Sequence, residues 1–414
     1  MGKDALTALG DISKRCRVQN GRFFGYVLGS GEPVAALADL FASVLNQNVT
    51  AWRSSPAAVG IERTVVSWLA LAIGCEGFHG SLTGGGSSAN LMGLAMARES
   101  KCPANETGIG SRTPVVYASR EAHMSVAKTV ALLGMGRENL RLIDTDDEFR
   151  MLPGKLESAI GEDKAAGRTP VAVVATAGTV NTGAIDPLSA IAELAQEHGL
   201  WMHVDGAYGA LAALAVPEKF TGMNSADSVS LDPHKWLYQP VDCGCLLFRD
   251  PSAARHAFSH TGDYAKTLSE DPLESFAFFD ESLELSRRFR ALKLWLSVRY
   301  HGTKSYRDSI RKDLDSANRL AANVEKHPEL ELVAKGELSA VCFRYKGKHP
   351  EEDLNQLNAA ILKRVIESGR VYLSNATLQG KFCLRACIVN HRTTDADIDA
   401  VVPEVLRAAH TQRL

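Results

Sequence analysis

The stretch VAVVATAGTVNTGAIDPLSAIAELAQEHGLWMHVDG, residues 171–206, decides the fold class. It opens with a run of small and β-branched apolar residues, 171–176, too uniformly apolar for a strand with one wet face. A helical pattern follows from Pro187 to His198 and stops at Gly199, the residue type that most readily caps a helix in the left-handed conformation. A second apolar run, 200–206, begins at once. Strand, helix and strand in this rhythm make a right-handed crossover between parallel strands covered on both faces. Outward from it, PVVYAS (114–119) and LRLID (140–144) read as earlier strands and SVSLD (228–232) as a later one. Sheets of this kind bind ligands at the carboxyl ends of their strands. From about Lys304 the pattern changes to a long helix, VCFRY (341–345), a helix near 351–368, FCLRACIV (382–389) and a last helix from Thr394. That is the pattern of a smaller α+β domain. The expected organisation is an N-terminal segment 1–60, helical or irregular, a large α/β domain 61–303 and a small C-terminal α+β domain 304–414.

Composition narrows the function. At 414 residues the chain is long enough for two or three domains. An apolar content of 45% with 23% charged residues excludes wholesale disorder and a membrane-spanning bundle. Lys and Arg (46) nearly balance Asp and Glu (48), so no bulk field draws the protein to nucleic acid or anionic lipid. Eight cysteines follow no zinc-site spacing and read as reduced thiols. Asp4, Asp11 and Lys14 interrupt what a signal peptide needs to keep apolar. The most apolar stretch, 65–75, stops at Glu76, short of the roughly 18 residues of a membrane span. A cytoplasmic protein working on a small molecule is the expectation.

Three clusters carry polar chemistry. TGGGSSAN (83–90) opens an apolar helical run, and a glycine-rich turn feeding a helix presents bare N–H groups to an anion. Alone it is a weak signal, because it lacks the P-loop lysine. HVDGAY (203–208) and SLDPHKW (230–236) end two successive strands, so both fall on one sheet edge. His203, Asp205, Asp232 and His234 have metal-ligand chemistry and leave a zinc or manganese reading open. Lys235 in the same cluster would repel an ion, whereas Schiff-base formation explains it directly.

These residues resemble the fold-type-I pyridoxal-phosphate decarboxylases of the aromatic-amino-acid, or group II, branch. The similarity runs from RFFGY (22–26) through SPAAVGIE (55–62), TGGGSSANL (83–91), EAHMSV (121–126), HVDGAYG (203–209), DPHKWL (232–237) and SRRFRALKLW (286–295) to LRACIVNHR (384–392). It implies an α/β fold of the fold-type-I transferase architecture, with a mainly parallel central sheet and a smaller C-terminal α+β domain. It also implies pyridoxal 5'-phosphate as cofactor and a homodimer with shared active sites. The implied reaction is decarboxylation of an L-amino acid to its amine and CO2. Metal, nucleic acid and membrane have no place in that reading.

By the same resemblance Lys235 holds the cofactor as an internal aldimine and Asp205 pairs with the pyridine nitrogen. An opposite charge that close favours the protonated ring by roughly 1 to 3 pKa units. Ala207 packs on the ring, Gly86, Ser87 and His234 face the phosphate, Thr179 lies near the ring substituents and His123 stacks on the open face. Arg385 meets the substrate α-carboxylate, while Asn48, Trp52 and Pro56 shape the side-chain pocket. In relatives a loop tyrosine is credited with the final protonation. Ungapped counting puts Phe278 there, which opens an alternative, oxidative decarboxylation and deamination to an aldehyde. A slipped loop, with Tyr264 or His123 as donor, keeps the amine. A catalytically silent cofactor binder is a further alternative. The chain departs from the family pattern in a shorter N-terminal arm, in Asn20-Gly21-Arg22 for a His-Pro pair, and in Asp232 where an asparagine is usual.

Overall fold

The computed structural model of the protein describes residues 2–260, 271 and 274–411. Seven strands build the large sheet: β1 (His79–Thr83), β2 (Pro114–Ser119), β3 (Leu140–Ile143), β4 (Thr169–Thr176), β5 (Trp201–Asp205), β6 (Ser228–Leu231) and β7 (Gly244–Phe248). Their order is β1-β7-β6-β5-β4-β2-β3. Neighbours from β6 to β3 pair in parallel, and β7 runs antiparallel to both β6 and β1. The carboxyl ends of β1, β2, β4, β5 and β6 therefore share one edge. Strand alternation supplies two cores: Val115, Tyr117, Val173 and Ala175 face one and Val116, Ala118, Ala172 and Val174 the other. Burial on both faces is why these strands read as unbroken apolar runs. The crossover helix occupies Leu188–His198 with Gly199 as a left-handed cap, φ 70°.

The second sheet, β8 (Leu330–Lys335), β9 (Ala340–Tyr345), β10 (Ser374–Leu378) and β11 (Lys381–Cys387), is antiparallel throughout in the order β10-β11-β9-β8. Helices Ala291–Glu325, Glu351–Ser368 and Val401–His410 pack against it. The first of these starts well before Lys304, where the sequence pattern puts it, and a non-helical Gly302 (φ 75°) interrupts it near the expected start.

The N-terminal segment is tied to the small domain despite its distance in sequence. Phe24 N–H donates to Tyr372 O and Phe24 O accepts from Cys387 N–H, both at 2.8 Å, and the Phe24 ring lies in the small-domain core. Helix Pro33–Leu45 is capped by Glu32, whose carboxylate accepts from Val34 N and Ala35 N. None of the described helices is long and apolar enough to cross a membrane.

Candidate active site

The glycine-rich turn leaves β1 and enters helix Gly86–Lys101. Gly85 sits at φ 135°, a backbone state closed to residues with a side chain. At Gly86 the reason is space: a Cβ there would stand 2.6 Å from Ala207 Cβ and 3.0 Å from Asp232 Oδ2. Glycines thus bring the helix N-terminus against the ends of β5 and β6. The first N–H groups of that helix have no intrahelical acceptor and point out of its end.

One cavity of about 280 Å³ gathers residues from all five strand ends. Gly86, Ser87, His123, Asp205, Ala207, His234 and Lys235 line it. Asp205 is 5% exposed and accepts three hydrogen bonds: from Asn90 Nδ2 (2.8 Å), Ala207 N–H (3.2 Å) and Ser230 Oγ (3.3 Å). Lys235 Nζ lies 3.0 Å from Asp232 Oδ2. His234 donates through Nδ1 to Cys243 O at 2.7 Å, which leaves Nε2 to face the cavity.

Asn90, quoted in the sequence motif but assigned no role there, is the hub of the site. Trp201 Nε1 donates to Ser228 Oγ (2.9 Å), and the serine proton goes to His203 Nδ1 (2.8 Å). His203 Nε2 then carries the ring proton and donates to Asn90 Oδ1 at 3.0 Å. Asn90 Nδ2 spends one proton on Asp205 and the other on Ser125 Oγ (2.9 Å). Ser125 in turn donates to His123 Nδ1 at 2.8 Å. Burial pushes His203 down to about 4, and burial also lowers His123. Both imidazoles are therefore neutral at physiological pH. With both nitrogens of His203 engaged, no ring nitrogen is left for the zinc or manganese considered from sequence. The detectable sequence signal for Asn90 is its spacing, one helical turn after Gly86 and on the same helix face.

The remaining expected residues lie outside the cavity wall. Thr179 is fully buried with its hydroxyl bound to Thr182 Oγ1 (2.8 Å) and Ala184 N–H (3.1 Å), so it staples a turn. Thr176, three residues earlier, lines the cavity with a buried hydroxyl that has no partner. Arg385 is buried; Nε donates to Asn181 O (3.0 Å) and Nη1 to Tyr26 O (2.9 Å), while Nη2 is buried and unpaired. Its partners adjoin Val180 and Val27, which do line the cavity. Asn48 Oδ1 accepts from Arg287 N–H at 2.8 Å, Trp52 is half-buried against the main core, and Pro56 begins helix Pro56–Ala72. Phe278 is fully buried beneath the Arg287 guanidinium, 4.2 Å from its ring centroid. Phe278 is a core anchor in that place. Tyr264 lies outside the described residues. A larger depression of about 970 Å³ on the small domain shares no residue with this cavity, and one of its two acids, Glu329, is already bonded to Tyr345 and His410.

These features fit a phosphorylated pyridine cofactor: a helix N-terminus for the phosphate, a well-donated carboxylate deep in the site, an orphan hydroxyl, and an amine at the rim. Fold and site together define a fold-type-I pyridoxal-phosphate enzyme. The profile described as "Pyridoxal-dependent decarboxylase conserved domain" matches residues 12–346, and the chain belongs to that family. It is a pyridoxal-phosphate-dependent carboxy-lyase acting on an L-amino acid. The chain is 35% identical to an aromatic-L-amino-acid decarboxylase of Bacillus atrophaeus over 94% of its own length and 81% of the relative's. It is 32% identical to a phenylacetaldehyde synthase of Petunia hybrida, over 89% and 77% of the two chains. Among solved structures, Oryza sativa TDC with PLP and tryptamine matches with a TM-score of 0.90 at 28% identity, covering 95% of this chain and 84% of that one.

Proposed function

We propose that the protein decarboxylates an aromatic L-amino acid to the corresponding amine, with Lys235 as the residue that holds the cofactor. The observation that carries the site assignment is the convergence in one cavity of Lys235 Nζ, the triply donated Asp205 carboxylate and the neutral His123 ring. The aromatic class is supported by the relatives, a tyrosine decarboxylase of Petroselinum crispum at 34% identity and a tryptophan decarboxylase of Camptotheca acuminata at 34% among them.

When bound, the cofactor supplies an electron sink for the electron pair of the broken bond to CO2. The protein's residues do the rest. Asp205, oriented by its three donors, would pair with the ring nitrogen. Gly86 and Ser87 offer backbone N–H groups to the phosphate, with His234 beside them. His123, held by Ser125, would cover one ring face and Ala207 would support the other, with the free Thr176 hydroxyl in the same cavity. Arg385 Nη2, a buried donor without partner, suits a substrate α-carboxylate.

A homodimer completes the site in this reading. Helix Pro33–Leu45 exposes Leu37, Leu40, Phe41 and Val44, an i, i+3, i+4, i+7 stripe, and helix Gly2–Arg15 exposes Leu6, Leu9 and Ile12. Asn48 and Trp52 then belong to a side-chain pocket that a second copy closes. The division at 60/61 and 303/304 is part of the same proposal, supported at the latter by the helix break at Gly302. A cytoplasmic location is supported by eight free cysteines.

The test offers a panel of L-amino acids and identifies every product by mass spectrometry beside an oxygen electrode. Amine with CO2 and no oxygen uptake is expected from aromatic substrates. Oxygen uptake matching CO2 release, with aldehyde as product, overturns the amine assignment in favour of the aldehyde-synthase relatives' chemistry. Lys235→Ala is expected to abolish turnover while leaving a folded protein, and retained turnover would place the essential amine elsewhere.

A further inference from the structure

Asp232 puts a carboxylate beside an anion site. It is 2% exposed; Oδ2 lies 3.0 Å from Lys235 Nζ and 3.7 Å from His234 Nε2, and Oδ1 is buried with no partner. The side chain lines the cavity where the glycine-rich turn enters it, within 3.0 Å of where a Cβ on Gly86 would stand. Charged or titratable groups share the cavity with it: Lys235 and His234 from its own turn, Asp205 from β5 and His123 from the N-cap of helix Met124–Leu132. From β7 and the loop before it come Cys245 and Cys243, both thiols pushed up by burial, Cys243 to about 12, and so neutral. Among the described residues, the Lys235 ammonium is the one full cation that Asp232 pairs with.

Cofactor binding removes that arrangement. With the cofactor bound, Lys235 Nζ would be committed to its carbonyl carbon, the carbonyl oxygen leaving as water, and the phosphate dianion would lie at the N-terminus of helix Gly86–Lys101. Two anions in contact inside a cavity cannot both stay ionised at ordinary cost. We propose that Asp232 takes up a proton as the phosphate docks and donates it from its carboxyl oxygen to a phosphate oxygen, so that cofactor retention weakens as pH rises. Asp232 is on this account a cofactor-binding residue. The inference rests on placing the phosphate at Gly86 and Ser87. An asparagine there donates without needing a proton, so Asp232 makes retention pH-dependent where Asp232→Asn does not. With Asp232 ionised in the free protein and protonated in the complex, wild type gains on binding one proton more than the amide variant, and its affinity falls by about tenfold per pH unit relative to that variant.

The experiment titrates apoprotein with pyridoxal 5'-phosphate between pH 7 and 8.5, reading protein fluorescence for the dissociation constant and an indicator dye in dilute buffer for proton uptake. Wild type, Asp232→Asn and His234→Asn are compared, with pyridoxal as the phosphate-free probe. Wild type is expected to take up about one proton more per cofactor than Asp232→Asn. The ratio of their dissociation constants should grow about tenfold per pH unit, and pyridoxal should show neither difference. His234→Asn should keep the extra uptake. Parallel pH profiles for wild type and Asp232→Asn overturn the proposal. So does the same gap with pyridoxal, which assigns the proton to the lysine, or its loss in His234→Asn, which assigns it to the imidazole. Equal wild-type affinity for pyridoxal and its phosphate removes the phosphate from this turn, and the placement fails with the inference.

Discussion

Replacing Asn90 by alanine tests the buried network on which the site depends. The side chain makes three hydrogen bonds, to Asp205 Oδ2, Ser125 Oγ and His203 Nε2, at 2.8, 2.9 and 3.0 Å, and is 1% exposed. A hydrogen bond to a charged group contributes about 1.5–3 kcal/mol, and a buried donor left unpaired, here His203 Nε2–H, costs about 1–3 kcal/mol. The Ser125 hydroxyl loses only an incoming bond and adds little. Summed with allowance for non-additivity, the loss of unfolding free energy is about 3–5 kcal/mol. Asp205 keeps two of its three donors, so its hold on the ring nitrogen weakens and is not abolished. Cofactor affinity should fall about tenfold, equivalent to about 1.4 kcal/mol. Urea denaturation of apoprotein reads the first quantity and fluorescence titration with cofactor the second. Asn90→Ser, which can hydrogen-bond one of the three neighbours, should fall between. A stability loss under 1 kcal/mol together with unchanged cofactor affinity would refute the hub.

Two further outcomes follow from buried groups. Burial raises Asp313 to about 8, where Tyr238 donates to it at 2.9 Å, so the folded state holds its proton above the unfolded value of 3.8. The native state then binds more protons than the unfolded chain between these values. Stability drops by up to about 1.4 kcal/mol per pH unit as pH rises through that window, and Asp313→Asn should flatten the fall of thermal midpoint from pH 5 to 8; an unchanged slope counts against it. Gly86→Ala drives a methyl to 2.6 Å from Ala207 Cβ, so stability should drop by about 1–3 kcal/mol and cofactor should be lost on dialysis, and a variant that retains both would show the close approach to be dispensable.

What the sequence by itself determined are the features carried by local pattern: the apolar strands, the crossover helix with its Gly199 cap, the glycine-rich helix entry, and two polar clusters on successive strand ends. Parallel topology then forces HVDGAY and SLDPHKW onto one edge, so the meeting of Asp205 and Lys235 at one cavity was legible from spacing. Tertiary structure alone decided which neighbouring side chains enter the cavity. Thr179 and Thr176 look alike in sequence, yet one closes a turn and the other keeps a free hydroxyl toward the site. Phe278 occupies a position that counting makes catalytic and packing makes core. Arg385 is held by the carbonyls of Tyr26 and Asn181, 359 and 204 residues away in the chain. Asn90 joins His203, Asp205 and Ser125 only because helix Gly86–Lys101 docks on the sheet. Side-chain direction and hydrogen-bond partnership depend on where separate elements come to rest against one another. Periodicity reports which face of an element is buried, and it carries no record of which distant element buries it.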